Sequence, residues 1–241
     1  MRNIRVAMIV AAFFTTLLCS MPAYAQFQGK INYSIKTDSS RIDMAYSAKG
    51  DNMRFDISKG IGPIPSGMSA IINKEDGQAM LLMSKQKMAI IMPMDSFEEM
   101  AIGAANSEKK STRQKGDKDI NIERTGRIQT IAGHSCEQWL VSGGKSDGKV
   151  VEIWIAKGLG TFGIFNDLLK SLPDWGKKLQ PVFGQEGGIP LLITLKDKKG
   201  RENIHIEATS IIKIVDDAAF QVPAGYQIID QSRIESEINE E

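Results

Sequence analysis

The sequence is poor in the residues on which many catalytic and metal sites depend. It contains only two cysteines and two histidines among 241 residues, and its formal net charge is +1. A near-neutral chain lacks the basic stripe that nucleic-acid binding requires. It is also neither an acidic nor a basic polyelectrolyte. The composition therefore excludes a nucleic-acid-binding role and leaves exported, globular or interaction functions open.

The first 25 residues have the features of a secretory signal peptide. These features are Arg2 and Arg5, an apolar run over 6–18, and the small residues Ala23 and Ala25. Cleavage is predicted between Ala25 and Gln26, which would remove two positive charges and change the net charge from +1 to −1. We therefore expect a periplasmic or secreted protein with no transmembrane span after processing.

The sequence predicts a different role for each of the two cysteines. Cys19 lies inside the leader, and lipid anchoring there is not predicted because Leu18 stands where a lipoprotein needs a small residue. Cys136 would then be the one cysteine of the mature chain, without an intramolecular disulfide. A buried, small, apolar role is favoured for Cys136, while an intermolecular bridge or a reactive thiol stays open.

The histidines give a weak signal for chemistry. In a strand, His134 and Cys136 would share one face, which is compatible with a Cys/His nucleophile or two metal ligands. No third ligand stands at a recognisable spacing, so the sequence predicts no metal and no cofactor. His205 alternates with Ile204 and Ile206 and is expected on a solvated face.

Strict alternation of apolar and polar residues dominates the chain after the leader. Alternation of this kind predicts antiparallel strands with one buried face and one solvated face. The predicted strands are 27–36, 42–48, 53–57, 69–74, 78–84, 87–92, 120–130, 134–142, 149–156, 191–196 and 202–214. A hairpin is expected at the turn Lys49-Gly50-Asp51-Asn52.

The stretch from Ser69 to Met94 is apolar on both parities, so its strands need cover on both faces. Two helices are predicted as that cover. One runs from Asp95 to Ala105, because acidic residues fill its first turn. The other runs from Thr161 to Leu172, with an apolar stripe at helical spacing and Pro173 after it.

One curved sheet interrupted by a long loop is the simplest organisation. The loop is predicted over 106–119, where Lys, Glu, Asp, Ser and Gly stand without apolar periodicity. A single domain is expected over 26–229, followed by an acidic tail over 230–241. The predicted class is α+β, mostly β.

Several segments resemble a known family. They are Phe27-Gln28-Gly29-Lys30-Ile31, Ile131-Ala132-Gly133 with Cys136 and Trp139, 151–155, Gly187-Gly188-Ile189-Pro190, and 220–226. In this order they are similar to the domain-of-unknown-function family numbered 4412, grouped with the LolA-like lipoprotein carriers. The resemblance implies a strongly curved antiparallel sheet, an unclosed barrel, with helices covering its concave face. It implies ligand binding as an expectation and transfers no functional residue.

The leading functional hypothesis is an exported protein that binds a lipid or lipoprotein acyl chain in that concavity. Methionine is concentrated between Met68 and Met100, and flexible thioethers suit variable apolar ligands. The predicted ligand-binding residues are Met80, Met83, Met88, Met92, Phe162, Phe165, Leu169 and Trp175. Simple core packing by these methionines stays open.

One other class of function stays open beside binding of an apolar ligand. This alternative is an exported structural or interaction module without a small ligand. Copper(I) binding by thioethers is disfavoured because the methionine spacings are irregular. Enzyme activity is not predicted, since no nucleophile elbow, phosphate loop, HExxH or paired-carboxylate motif occurs. The sequence leaves the oligomeric state undetermined.

Overall fold

The computed structural model describes residues 26–37, 40–58, 66–107, 120–143, 150–161, 187–197 and 199–231, with the side chains of 101–107 and 120 excepted. Several predicted features lie outside these ranges. They are the leader over 1–25 with Cys19, most of the loop over 106–119, the helix over 162–172 with Trp175, and the tail beyond residue 231.

The described residues form strands, one α-helix and one 3₁₀ helix. The strands are β1 (Gly29–Thr37), β2 (Arg41–Lys49), β3 (Asn52–Ile57), β4 (Met68–Asn73), β5 (Gln78–Met83), β6 (Met88–Pro93), β7 (Ile120–Ile131), β8 (His134–Gly143), β9 (Val150–Ala156), β10 (Ile189–Lys196), β11 (Glu202–Ile212) and β12 (Gln227–Asp230). Helix α1 is Met94–Ser107 and the 3₁₀ helix is Asp217–Phe220.

All of these strands belong to one 12-stranded sheet with the order β12-β6-β5-β4-β3-β2-β1-β11-β10-β9-β8-β7. The sheet is large, curved and unclosed, so the predicted mostly-β architecture is confirmed. Neighbouring strands are antiparallel with one exception, since β12 pairs in parallel with β6. Strand β12 was not predicted from the sequence. It pairs in parallel with β6 and so covers the edge of that strand.

The predicted strands correspond to β1–β11 because period-two alternation and turn chemistry agree locally. At the predicted hairpin, Lys49 pairs with Asn52. Gly50 has a φ of 56° there, a left-handed conformation that glycine adopts without a Cβ clash. Helix α1 is longer than predicted. It begins at Met94 and ends at Ser107, whereas the prediction was Asp95 to Ala105. The first two residues of the predicted loop are therefore helical.

Strands β4–β6 are buried on both faces, as their double-sided apolar pattern predicts. We name the face of β1–β6 that carries Tyr46 the Tyr46 face, and the other the Ile71 face. Segment 213–226, which we name the strap, covers the Ile71 face. There Ile71, Leu82, Ala89 and Phe220 are buried together, and Val215, Ala219, Val222 and Tyr226 pack against them.

Candidate functional site

Three parallel rows of side chains cross the Tyr46 face of β2–β6, and each row consists of directly paired residues. The inner row is Ala48, Met53, Ile72, Ala79 and Met92. The middle row is Tyr46, Phe55, Ala70, Leu81 and Ile90. The rim row is Met44, Ile57, Met68, Met83 and Met88. Paired residues point to the same face, with Cβ atoms about 5 Å apart.

Burial decreases steadily from the inner row to the rim row. The inner row is 0–4% exposed. In the middle row Tyr46 and Leu81 are buried, whereas Phe55 and Ile90 are partly buried. All five members of the rim row are partly buried. The Tyr46 face therefore ends in an apolar rim that remains accessible to solvent or to a ligand.

Aromatic rings and two side chains of helix α1 pack against the core cluster of this face. The Tyr46 ring stacks with Phe27 at a centroid distance of 6.1 Å. It also contacts the Phe55 ring at 5.0 Å. Met94 and Phe97, in the first turn of α1, pack against the same core cluster. The large aromatic rings thus lie at the centre of the face, and the smaller, flexible methionine side chains lie at its rim.

The predicted ligand-binding residues do not all share this surface. Met83 and Met88 lie in the rim row, and Met92 is 4% exposed in the inner row. Met80 lies on the Ile71 face, where it pairs with Ile71 and contacts the cluster under the strap. Phe162, Phe165, Leu169 and Trp175 lie outside the described residues. Met44 and Met68 belong to the rim row, although the prediction did not include them.

A groove of about 690 Å³ opens on the Ile71 face, on the other side of the sheet from the rim row. Its Asp43, Arg54 and Asp56 side chains alternate with the rim and middle rows along β2 and β3, so they point away from the Tyr46 face. Met44 and Ile57 also border the groove, and polar groups form most of its wall. The polar and charged side chains are Asn32, Arg41, Asp43, Arg54, Asp56, Ser58, Ser69, Ser84, Thr209 and Ser210. The groove is therefore largely polar, and the sheet separates it from the rim row.

The polar wall of the groove is held in place by Arg54. Its Nε donates a hydrogen bond to Asp56 Oδ1 at 2.8 Å, and Ser69 Oγ donates to the same oxygen at 2.6 Å. Nη1 of Arg54 donates to the carbonyl oxygen of Ala219 in the strap at 2.8 Å. These contacts fix the groove wall and the strap to each other.

A second polar cluster lies in β7–β10, and we name it the Glu152 network. Glu152 Oε1 accepts hydrogen bonds from Gln138 Nε2 at 2.6 Å and from Trp154 Nε1 at 2.8 Å. Its Oε2 accepts one from Lys196 Nζ at 2.6 Å. Thr125 Oγ1 donates to Gln138 Oε1 at 2.8 Å, which extends the network to β7.

Burial alone would raise the pKa of Glu152. The hydrogen bonds from Lys196, Trp154 and Gln138 outweigh that effect, so its pKa is lowered. A carboxylate that is held ionised in this way is unsuited to be a proton donor near neutral pH. The Glu152 network therefore has the character of a structural cluster.

The cysteine and the histidines do not form a reactive group. Cys136 is 0% exposed, which confirms the prediction of a buried thiol, and burial raises its pKa to about 11. Its Sγ donates to the carbonyl oxygen of His134 at 3.4 Å. His205 is half-buried between Glu202 and Glu207, and its Nε2 lies 3.1 Å from Glu207 Oε2. A raised thiol pKa disfavours the thiolate that a nucleophile requires.

Among the residues that the structure describes, no three His, Cys, Asp or Glu side chains come together as a metal-binding group. The same residues include no helix that is long and apolar enough to cross a membrane.

Comparison with known proteins gives no match among curated sequences. An uncharacterized conserved protein from Thermus thermophilus is 11% identical, with a TM-score of 0.44 over 84% of this chain and 91% of that one. A chain of the Pseudomonas aeruginosa MucA/MucB complex is 12% identical, with a TM-score of 0.46 over 86% of this chain and 59% of that one.

A third solved structure is described as a putative outer membrane lipoprotein-sorting protein domain from Vibrio parahaemolyticus. It is 9% identical, with a TM-score of 0.26 over 83% of this chain and 91% of that one. TM-scores of this size carry no argument about function.

The family comparison gives a match over most of the chain. The model described as Domain of unknown function (DUF4412) matches residues 27–226. This range begins two residues before β1 and ends one residue before β12, and it contains every segment on which the resemblance was based. The predicted resemblance to this family is confirmed. The chain belongs to the DUF4412 family.

Proposed function

We propose that this protein is an exported binding protein that holds an apolar ligand, an acyl chain of a lipid or lipoprotein, against the Tyr46 face. The observation that carries the proposal is the burial gradient of that face. A packed inner row gives a rigid floor, and a partly buried rim row presents flexible thioethers to an entering chain.

The rim row defines the chemistry of the proposed ligand. Its five side chains are four methionines and one isoleucine, and none of them carries a charge or a hydrogen-bond donor. The charged groups of the groove, among them Arg54 and Asp56, lie on the opposite face of the sheet. The ligand chemistry is therefore mainly apolar.

In this proposal, α1 and the helix predicted from the sequence over 161–172 cover the concave face. Helix α1 already contributes Met94 and Phe97 to the core cluster of the Tyr46 face. Phe162, Phe165, Leu169 and Trp175 are proposed to extend the apolar surface over the ligand. The proposal includes no chemical step and no covalent bond to the ligand.

Export is part of the same proposal and rests on the sequence of residues 1–25. The periplasm is the proposed compartment, with cleavage between Ala25 and Gln26. Cell fractionation followed by N-terminal sequencing tests this, and a mature protein that begins at Gln26 is expected. An intact leader, or a mature chain that begins at a lipidated Cys19, would contradict it.

The binding proposal is tested with a series of saturated fatty acids of increasing length, measured by isothermal titration calorimetry. Each methylene that leaves water contributes about 0.8 kcal/mol, so affinity is expected to rise about fourfold per methylene until the site is filled. Met83→Glu places a charge in the rim row and is expected to abolish this dependence. Ile128→Lys, at an exposed position in β7, is the matched control and should leave it unchanged.

The outcome separates a carrier from an interaction module. A chain-length dependence that Met83→Glu removes and Ile128→Lys preserves supports the carrier. Absence of binding at every chain length, together with no lipid in native mass spectra of the exported protein, would reject it and favour the interaction module. Circular dichroism of both variants verifies that they are folded.

A further inference from the structure

Three methionines stand side by side in the rim row. Met68 in β4 pairs with Met83 in β5, and Met83 pairs with Met88 in β6. We name these residues the methionine triad. They occupy one position on three consecutive strands of one face, and all three are partly buried. Their irregular separation along the sequence becomes a regular separation across the sheet.

The triad differs from the other rows of the same strands. In the middle row, β4–β6 contribute Ala70, Leu81 and Ile90, and in the inner row they contribute Ile72, Ala79 and Met92. Packing alone favours residues with well-defined rotamers, such as leucine and isoleucine, over methionine. Three adjacent thioethers at a partly exposed rim therefore form a cluster of sulfur ligands that the neighbouring rows lack.

Thioether sulfur is a soft ligand that selects Cu(I) over hard divalent ions. Cβ atoms of directly paired residues lie about 5 Å apart. Each methionine side chain has three rotatable bonds, so three neighbouring sulfurs are able to converge on one ion above Met83. A neighbouring thioether, Met44, lies beyond Ile57 in the same row.

We propose that Met68, Met83 and Met88 form a binding site for one soft monovalent cation, Cu(I), in trigonal thioether coordination. This site is independent of the proposed acyl-chain function, although the two share the rim row. The ligands are neutral, so binding adds a single positive charge to the rim. Lys85 and Lys87 lie in the turn between β5 and β6, and Lys85 Nζ donates to Ser66 Oγ at 2.8 Å, which directs that ammonium group toward Ser66.

Thioether coordination has a distinctive pH dependence. Cysteine, histidine and carboxylate ligands must lose a proton before they bind a metal, so their affinity falls in acid. Methionine carries no proton at its sulfur. The affinity of the triad is therefore expected to be the same at about pH 5 as at about pH 7.5.

The test uses purified protein, Ag(I) as a redox-inert probe, and Cu(I) under anaerobic conditions in competition with a chromogenic chelator. Wild type is expected to bind one ion and to shift the methyl NMR signals of three methionines. Met83→Leu keeps the apolar volume but removes the central sulfur, and it should weaken binding at least about tenfold. Met92→Leu, in the inner row of the same face, is the matched control and should bind like wild type.

Two further variants separate the triad from other ligands. Cys136→Ala removes the buried thiol, and His205→Gln removes the half-buried imidazole. Neither should change the affinity. Binding that is lost in Cys136→Ala or His205→Gln, or that falls steeply at about pH 5, would overturn the proposal. Equal affinity in wild type and Met83→Leu would also overturn it.

The two proposals fail in different ways, because fatty-acid binding is measured on metal-free wild type and Cu(I) binding on lipid-free protein. Wild type that binds Cu(I), loses it in Met83→Leu and binds no fatty acid rejects the acyl-chain proposal alone. Wild type that binds fatty acids, together with a folded Met83→Leu that retains full Cu(I) affinity, rejects the metal site alone.

Discussion

The rim row and the Glu152 network belong to the same sheet but are stabilised in opposite ways. In the rim row, neutral side chains are partly buried and make only non-directional contacts. In the Glu152 network, one carboxylate receives hydrogen bonds from three side chains at 2.6–2.8 Å. Non-directional contacts tolerate substitution and movement, whereas a hydrogen-bonded network requires all of its members. The rim row is therefore adaptable, whereas the Glu152 network is fixed.

The first and largest test of this comparison concerns the floor below the rim. Met53 is 0% exposed in the inner row, so Met53→Ala should lower the free energy of unfolding by about 3 kcal/mol through lost burial and a residual cavity. Met83→Ala, at the rim, should cost only about 1 kcal/mol because its side chain is already partly solvated. Urea denaturation monitored by tryptophan fluorescence measures both. Equal losses would contradict the burial gradient.

The second test breaks the Glu152 network. Glu152→Ala leaves Lys196, Gln138 and Trp154 without their shared acceptor, and it should cost about 2 kcal/mol. The control is Glu137→Ala, which removes the ion pair with Lys157 at 2.8 Å. Since that lysine side chain is 49% exposed, the control should cost about 0.5 kcal/mol. If both variants lose the same stability, the network is no more fixed than a surface pair.

The third test uses pH. Because the pKa of Glu152 is lowered in the folded state, the unfolded chain binds protons more readily in acid. The contribution of Glu152 is therefore fully present above its unfolded pKa of about 4.3 and is lost as the pH falls through the folded pKa. The difference in unfolding free energy between wild type and Glu152→Gln should shrink as the pH is lowered from about 6 to about 3. A constant difference would show that ionisation of Glu152 does not stabilise the fold.

The smallest effect is expected for Met83→Leu. Leucine and methionine are close in volume, and such exchanges usually cost less than about 1.5 kcal/mol even in a core. At the partly buried rim, the unfolding free energy should change by less than about 0.5 kcal/mol. Thermal unfolding of the purified variant tests this. A large loss would show that the rim row is as tightly packed as the inner row.

Most of the sheet could be predicted from the sequence because its strands alternate regularly and its turns contain typical turn residues. β12 could not be predicted, since Gln227–Asp230 has only four residues and its position depends on pairing with β6. The strap was missed for a similar reason. Val215, Ala219 and Val222 show no regular period, and their burial follows from contact with a distant face.

The rim row was only partly predicted, although the sequence contained the necessary signal. A hairpin pairs residues that are equidistant from its turn, so a turn at 85–86 places Met83 opposite Met88, as observed. A turn at 75–77 would place Met68 opposite Ser84, one residue from the observed partner Met83. Sequence spacing alone made the same methionines look irregular. The Glu152 network had a weaker signal, namely single polar residues such as Gln138 and Glu152 inside otherwise apolar strands.

The strap and β12 have a consequence for how the chain reaches its fold. Six strands separate β11 from β12 in the sheet, so the chain must cross the Ile71 face before it pairs with β6. Until residue 227 has been synthesised, the edge of β6 has no partner strand from this segment, and the apolar Ile71 face lacks its cover. Unpaired apolar edges are prone to aggregation. The last part of the domain to leave the ribosome therefore protects one of the first hairpins, and a nascent chain needs protection for nearly the whole time of its synthesis.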